Sequence, residues 1–315
     1  MLRPRLLREL TLASTSHPQQ RLWLSAASGL VCHKEWAYVV ADDEYHLGCF
    51  RLDPAQLPQV DQAPLELLTL IEGELPVPHK QRKKAKADLE SLVLLPASAG
   101  FPNGALLSLG SGSKPNRCRA QLLPLQANGH VNESALSRHD LTDLYEPLRK
   151  HFEDLNIEGA FVAGDQLRLL QRGNKGKSPS ACISYDCHAV TEWLAHPRKH
   201  PPSPHAVLLL DFGSVEGVPL CPTDAAALAD GFWVVSLVAE DTDDSYQDGA
   251  CVASAIAIMD ADDKVSQLHR LEKSPKVEGI AVIAGNTSPT LLMVTDADDV
   301  ELAAHLLSVR LPHAE

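Results

Sequence analysis

Five times along this chain an acid or hydroxyl residue, followed by a small residue, opens an apolar run, a turn and a second apolar run. The phrases are "ASGLVCHKEWAYVVADDE" at Ser28, "LESLVLLPASAGFPNGALLSLGSG" at Glu90, "IEGAFVAGDQLRLLQRGN" at Glu158, "TDAAALADGFWVVSLVAED" at Asp224 and "VEGIAVIAGNTSPTLLMVTDAD" at Glu278. A third apolar run follows each: "HLGCFRLD", "RCRAQLLPL", "SACISYD", "VASAIAIMD" and "ELAAHLLSVRL". The anchors are separated by 62, 68, 66 and 54 residues. The 37 residues after Glu278 and the first 28 together make one further period of 65. An internal period of this length marks a repeat architecture, and it outranks any local pattern in deciding the fold.

Connecting segments supply a fourth strand, with "PLELLTL", "AVLLLDFG" and "SQLHRLEK" as candidates. Four-stranded sheets repeated about an axis make a β-propeller, which protects its strand edges by radial repetition. The expected fold is therefore all-β: residues 1–315 form one five-bladed propeller domain closed across the termini, residues 5–13 completing the last blade. No sixth phrase is present. The fourth repeat departs most from the pattern, with Asp224 and Ala225 at its anchor. Glu216 is a rival anchor there, but Pro219 and Pro222 argue against an inner strand beside it. One inserted helix is expected over residues 143–155, with Leu144, Leu148, Phe152 and Leu155 on one face and a capping-box pattern at Asp143 and Glu146. "HPRKHPPSPH" (196–205) reads as a solvated surface loop.

Inner strands of a propeller line its axis, so Ser28, Glu90, Glu158, Asp224 and Glu278 should converge there. Four carboxylates in a narrow, partly dehydrated channel repel one another unless protons, water or a cation neutralise them. An oxygen-only set without Cys or His suits a hard ion such as calcium better than zinc. Alternatively, each acid accepts backbone N–H groups from the adjacent blade and latches the ring.

The axial set in a five-bladed ring is similar to that of the calcium-activated nucleotidases (apyrases), which carry calcium on the axis. The resemblance rests on the short inner-strand phrases and implies metal-dependent hydrolysis. The stretches "KADLESL", "GSGSKPNR", "LNIEGA", "LQRGN" and "AEDTDDSYQDGA" resemble, over most of the chain, a family of uncharacterised bacterial propellers, which implies the fold and no activity.

Turns between second and third strands lie on the face where the inner strands begin. Those of blades 2 and 3 carry Lys114, Arg117, Arg172, Lys175 and Lys177; the others are almost wholly acidic. Arg117, Arg172, Asn174 and Lys175 are the candidate anion-binding residues, since arginine forks suit phosphate or carboxylate. Rim acids Asp42, Asp43, Asp241 and Asp244 are candidates for activating water, and His46 for a general base. The combined expectation is metal-assisted hydrolysis of a phosphorylated or carboxylated small molecule. A non-catalytic scaffold that binds a protein or ligand on its top face is the other class.

The net charge of −13 argues against a nucleic-acid partner. No apolar stretch reaches the 18 residues of a membrane helix, so no membrane partner is expected. "MLRPRLLRELTLAS" lacks the apolar core of a secretory signal. Seven cysteines without CxxC or zinc spacing read as reduced core residues, Cys49, Cys182 and Cys251 among them. A cytoplasmic monomer is expected.

Overall fold

The computed structural model describes residues 1–173, 178–196, 200–241, 250–285 and 288–312. Five four-stranded antiparallel sheets stand in a ring, making a five-bladed β-propeller. The innermost strands are Ala27–His33, Leu89–Leu95, Ile157–Ala163, Cys221–Ala227 and Val277–Ile283. Each packs against the inner strands of both neighbouring blades, blade 5 against blade 1 included. Blades 1, 3 and 4 end on Glu66–Thr69, Ala206–Leu210 and Val265–Arg270, and blade 2 on the polar strand Ser137–Asp140. Blade 5 takes its outermost strand from Arg5–Glu9, which pairs antiparallel with His305–Arg310.

Both faces of each sheet are covered, so the inner and middle strands are near-continuous apolar runs without clean alternation. Five apolar clusters result, one between each pair of adjacent blades. Between blades 3 and 4, for example, Phe161 stacks on the fully buried Trp233 with ring centroids 5.2 Å apart.

The expected helix over 143–155 is two separate turns, Thr142–Tyr145 and Leu148–Lys150, divided at Pro147. Leu144, Leu148, Phe152 and Leu155 are nonetheless all buried in one cluster between blades 2 and 3. Proline has no N–H to continue the ladder, so the apolar spacing survives while the helix does not. Two further α-helices occur among the described residues, His79–Ala85 and Cys187–Ala195. The second starts at Asp186, whose side chain accepts the Ala189 N–H at 2.6 Å. Pro222 lies within the inner strand of blade 4, contrary to the objection raised against proline there. An innermost strand has one unpaired edge, where a missing donor costs little. Among the described residues no helix is long and apolar enough to cross a membrane.

Candidate functional site

All five inner strands break register at the anchor position. The pairing skips between Ala27 and Gly29, Leu89 and Ser91, Ile157 and Gly159, Pro222 and Ala225, and Val277 and Gly279. A β-bulge leaves the extra residue unpaired and re-aims its side chain. Ser28, Glu90, Glu158, Asp224 and Glu278 each occupy such a bulge. The small residue that follows has its own cause. A Cβ on Gly159 would stand 2.7 Å from Asp224 Cα of the next blade, and one on Gly279 would stand 2.9 Å from Gly29 Cα. Inner strands approach too closely there for a side chain.

On the side of blades 3 to 5, the anchors are held by cations belonging to the chain. Buried Arg172 lies 3.2 Å from Glu158 Oε2, 2.5 Å from Glu240 Oε2 and 3.8 Å from Glu278 Oε1. Asn156, two residues before Glu158, donates to Glu158 Oε1. Lys276, two before Glu278, lies 3.6 Å from Glu278, 3.5 Å from both Glu240 and Asp296, and 2.5 Å from Asp298. Burial still pushes Glu278 well above the ordinary carboxylate range, against Lys276 and Arg172, with Glu158 and Glu240 adding repulsion. Asp224 behaves differently. Its Oδ2 accepts the Ile280 N–H of blade 5 at 2.8 Å, and its burial raises its pKa against the backbone amides of Ile280, Ala225 and Ala160. It is a latch between blades. The Ser28 hydroxyl is likewise spent locally, accepting from Asp42 N–H and donating to Ala26 O, both at 3.1 Å.

On the side of blades 1 and 2, carboxylates face one another. Oxygens of Asp42, Asp88 and Glu90 lie within 4.8 Å of each other. Lys86 contacts Asp42 and lies 2.8 Å from Asp88, and Arg117 lies 2.6 Å from Asp88. Against the upward push of burial, Lys86 and Arg117 hold Asp88 below the usual range. Glu90 makes no hydrogen bond or ion pair among the described residues. Burial, together with Asp88, Glu158 and Asp42, drives its pKa well above normal. Asp42 is raised to about 6 by burial, Lys86 pulling down and Asp43 and Asp88 pushing up.

Beside this cluster a cleft of about 90 Å³ opens between blades 1 and 5, with Asp42, Asp43, Arg82, Lys86, Asp296 and Asp298 in its wall. Burial raises Asp296 to about 7 despite Lys276. Asp43 accepts from Arg21 at 3.0 Å, while its buried Oδ1 has no partner among the described residues. His46 lies behind the wall, its Nδ1 3.4 Å from Glu44.

The structure thus brings Glu90, Asp42 and Asp43 to one place and leaves other expected groups elsewhere. Ser28, Glu158, Asp224 and Glu278 have partners of their own: backbone groups for Ser28 and Asp224 Oδ2, Arg172 and Asn156 for Glu158, and Lys276 and Arg172 for Glu278. Arg117 and Arg172 do not converge on an open anion site. Both are buried, and a buried guanidinium must pair with carboxylates, which here are Asp88, Glu158, Glu240 and Glu278. Asp241 ends the strand Trp233–Asp241 and is exposed. Asn174, Lys175, Lys177 and Asp244 lie outside the described residues. Sequence reasoning passed over Lys86, Asp88, Glu240, Lys276 and Asp296. A signal was available for two of them: Asp88 and Lys276 each stand two residues before an anchor, just ahead of the inner strand.

A five-bladed ring with a charged axial mouth is the class that fold and site define. The chain belongs to a family of unknown function, DUF6910, whose model matches residues 82–300. No curated protein matches the sequence. Among solved structures, it is similar to a luciferin-regenerating enzyme at 10% identity and a TM-score of 0.46, covering 91% of this chain and 92% of that one. A gluconolactonase from Xanthomonas campestris aligns at 11% identity and a TM-score of 0.43, over 98% and 89% of the two chains. An exo-β-1,3-galactanase from Phanerochaete chrysosporium aligns at 7% identity and a TM-score of 0.48, over 98% and 64%. Similarity this remote bears on no activity.

Proposed function

We propose that the axial mouth binds a hard divalent cation of the calcium class at Asp42, Asp88 and Glu90, and that the protein is a metal-assisted hydrolase of a small phosphorylated or carboxylated molecule taken into the adjoining cleft. The observation that carries this is Glu90: an anchor carboxylate without a partner of its own, beside two others whose oxygens lie within 4.8 Å. The donors are all carboxylate oxygens, which fit a hard cation. Lys86 competes for the same oxygens, so binding requires its ammonium to turn toward the cleft. When bound, such an ion polarises an ester or anhydride and lowers the pKa of water. Lys86, displaced from its carboxylates by the ion, supplies positive charge for an anion in the cleft, while Arg82 stays paired with Asp43 and Glu44. Asp296 is the wall group able to orient water. The resemblance to calcium-activated nucleotidases makes nucleotides the first substrates to try.

A scaffold reading has its own support. Lys86, Arg172 and Lys276 are permanent counter-ions, and a mouth neutralised from within needs no metal. Calorimetry after chelation separates the two. Calcium should bind the wild type and not Glu90→Gln, and release of phosphate from nucleotides, sugar phosphates or pyrophosphate should require it. Calcium binding without turnover on any of them defeats the hydrolase reading, and no binding at millimolar calcium leaves the scaffold.

A further inference from the structure

We propose that Cys49, Glu66 and His130 form a second metal site, for a zinc-class ion that staples blade 1 to blade 2 at the rim of the propeller. Cys49 and Glu66 are directly opposed on the third and fourth strands of blade 1. His130 comes from the turn after the third strand of blade 2, within the bridge between Leu125 and Val131. Glu66 Oε2 lies 3.8 Å from Cys49 Sγ and 3.9 Å from His130 Nε2, and all three donor atoms fall within 4.8 Å of one another. Ligands of a tetrahedral zinc, at about 2.0 Å for nitrogen or oxygen and 2.3 Å for sulfur, stand about 3.3–3.5 Å apart, so Glu66 must close by about 0.3 Å on Cys49 and about 0.6 Å on His130. The Glu66 side chain is exposed and free to swing by that amount, and its exposure gives the ion a way in.

Two features distinguish this cluster from an incidental contact. First, His130 Nδ1 lies 3.2 Å from the Val131 carbonyl. A carbonyl can only accept, so Nδ1 carries a proton and Nε2, on the Glu66 side, is the nitrogen left to bind an ion. Metal-bound histidines are oriented in this way, by a second hydrogen bond to a carbonyl or carboxylate. Second, the turn is held against blade 1 before any ion arrives. Tyr38 donates to Gly129 O at 2.7 Å, and Trp36 meets the His130 ring edge-on at 4.5 Å. Gly129 has φ +86°, and a Cβ there would press on Lys34.

The same tests reject the other histidine cluster. His17 Nδ1 accepts the Gln19 N–H at 3.0 Å, so Nε2 carries a proton toward Glu44 and offers no lone pair. A mixed sulfur, nitrogen and oxygen set favours zinc over calcium or magnesium. Binding exchanges the S–H bond of Cys49 for an S–metal bond and releases one proton, so affinity rises with pH.

Cobalt(II) titration of the full-length protein tests the site, because a thiolate ligand adds a charge-transfer band that oxygen and nitrogen donors do not. One equivalent should develop the band, zinc should bleach it, and Cys49→Ser should lose it. His130→Gln, at a partly exposed turn residue, should lose most of the band at equimolar cobalt while remaining folded. Should Cys49→Ser fail to fold, His130→Gln decides the matter alone. No thiolate band in the wild type, or a band of full intensity in either folded variant, overturns the proposal.

Discussion

Glu90 and Glu158 open equivalent strands on equivalent bulges, yet one faces other carboxylates and the other is bound by a guanidinium. The difference begins two residues earlier. Asn156 stands two residues before Glu158 and Lys276 two before Glu278, so the residue just ahead of the strand donates a hydrogen bond or supplies a charge. Glu90 follows Asp88, a like charge that already holds both Lys86 and Arg117. One repeated position has thus diverged into a latch on one side of the ring and an unsatisfied acid on the other. The repeat dictates where an anchor sits, and its strand neighbour dictates whether it is available.

The largest effect that could break this contrast is removal of the shared counter-ion. Arg172→Met removes the guanidinium shared by Glu158, Glu240 and Glu278, leaving Glu158 without a cation of its own, and should cost about 3–5 kcal/mol in urea unfolding. A cost below about 1 kcal/mol would mean that these acids are not latched by Arg172. Next comes the cation. Calcium at 100 times its dissociation constant should add about 2.7 kcal/mol of stability. That gain should vanish in Glu90→Gln and persist in Glu158→Gln; the reverse pattern would exchange the roles of the two sides.

Acidity provides a third measure. Asp296 is raised to about 7 in the folded protein, so between pH 4 and 7 the native state holds a proton that the unfolded state has released. Its contribution is present in full below the unfolded pKa and is lost as pH rises through 7. From pH 5.5 to 8 the wild type should lose about 2 kcal/mol relative to Asp296→Asn. Equal pH profiles would show the group to be charged throughout. The smallest effect is the sharpest in sign. Without added cation, Glu90→Gln removes repulsion and should leave stability unchanged or raised by up to about 1 kcal/mol. Glu158→Gln should lose about 1.5–3 kcal/mol of charge-assisted bonding.

The ring was legible because the bulge and the close inner-strand approach impose a spoke followed by a small residue, a demand repeated five times. Ser137–Asp140 was not legible: an outermost strand half in water has no apolar pattern to show. The helix from Cys187 announced itself only through Asp186, and Pro147 was outweighed by four apolar residues that are buried in one cluster without forming one continuous helix. The arginines misled for a different reason. Arg117 and Arg172 follow strand ends where a charged turn would face water, and only the acids converging at the axis turn them inward.

The pairing of Arg5–Glu9 with His305–Arg310 has a consequence for how the molecule is made. One strand must wait, unpartnered, for another synthesised about 300 residues later. Contacts between segments so far apart in sequence are slow to form. Until they form, the apolar cluster shared by blades 5 and 1 stays open, and the nascent chain shows a sticky flank to whatever is near. Joining the present ends and opening the ring between blades 2 and 3 would instead let blade 5 assemble from contiguous sequence. Such a permuted chain should refold faster while keeping the same sheets.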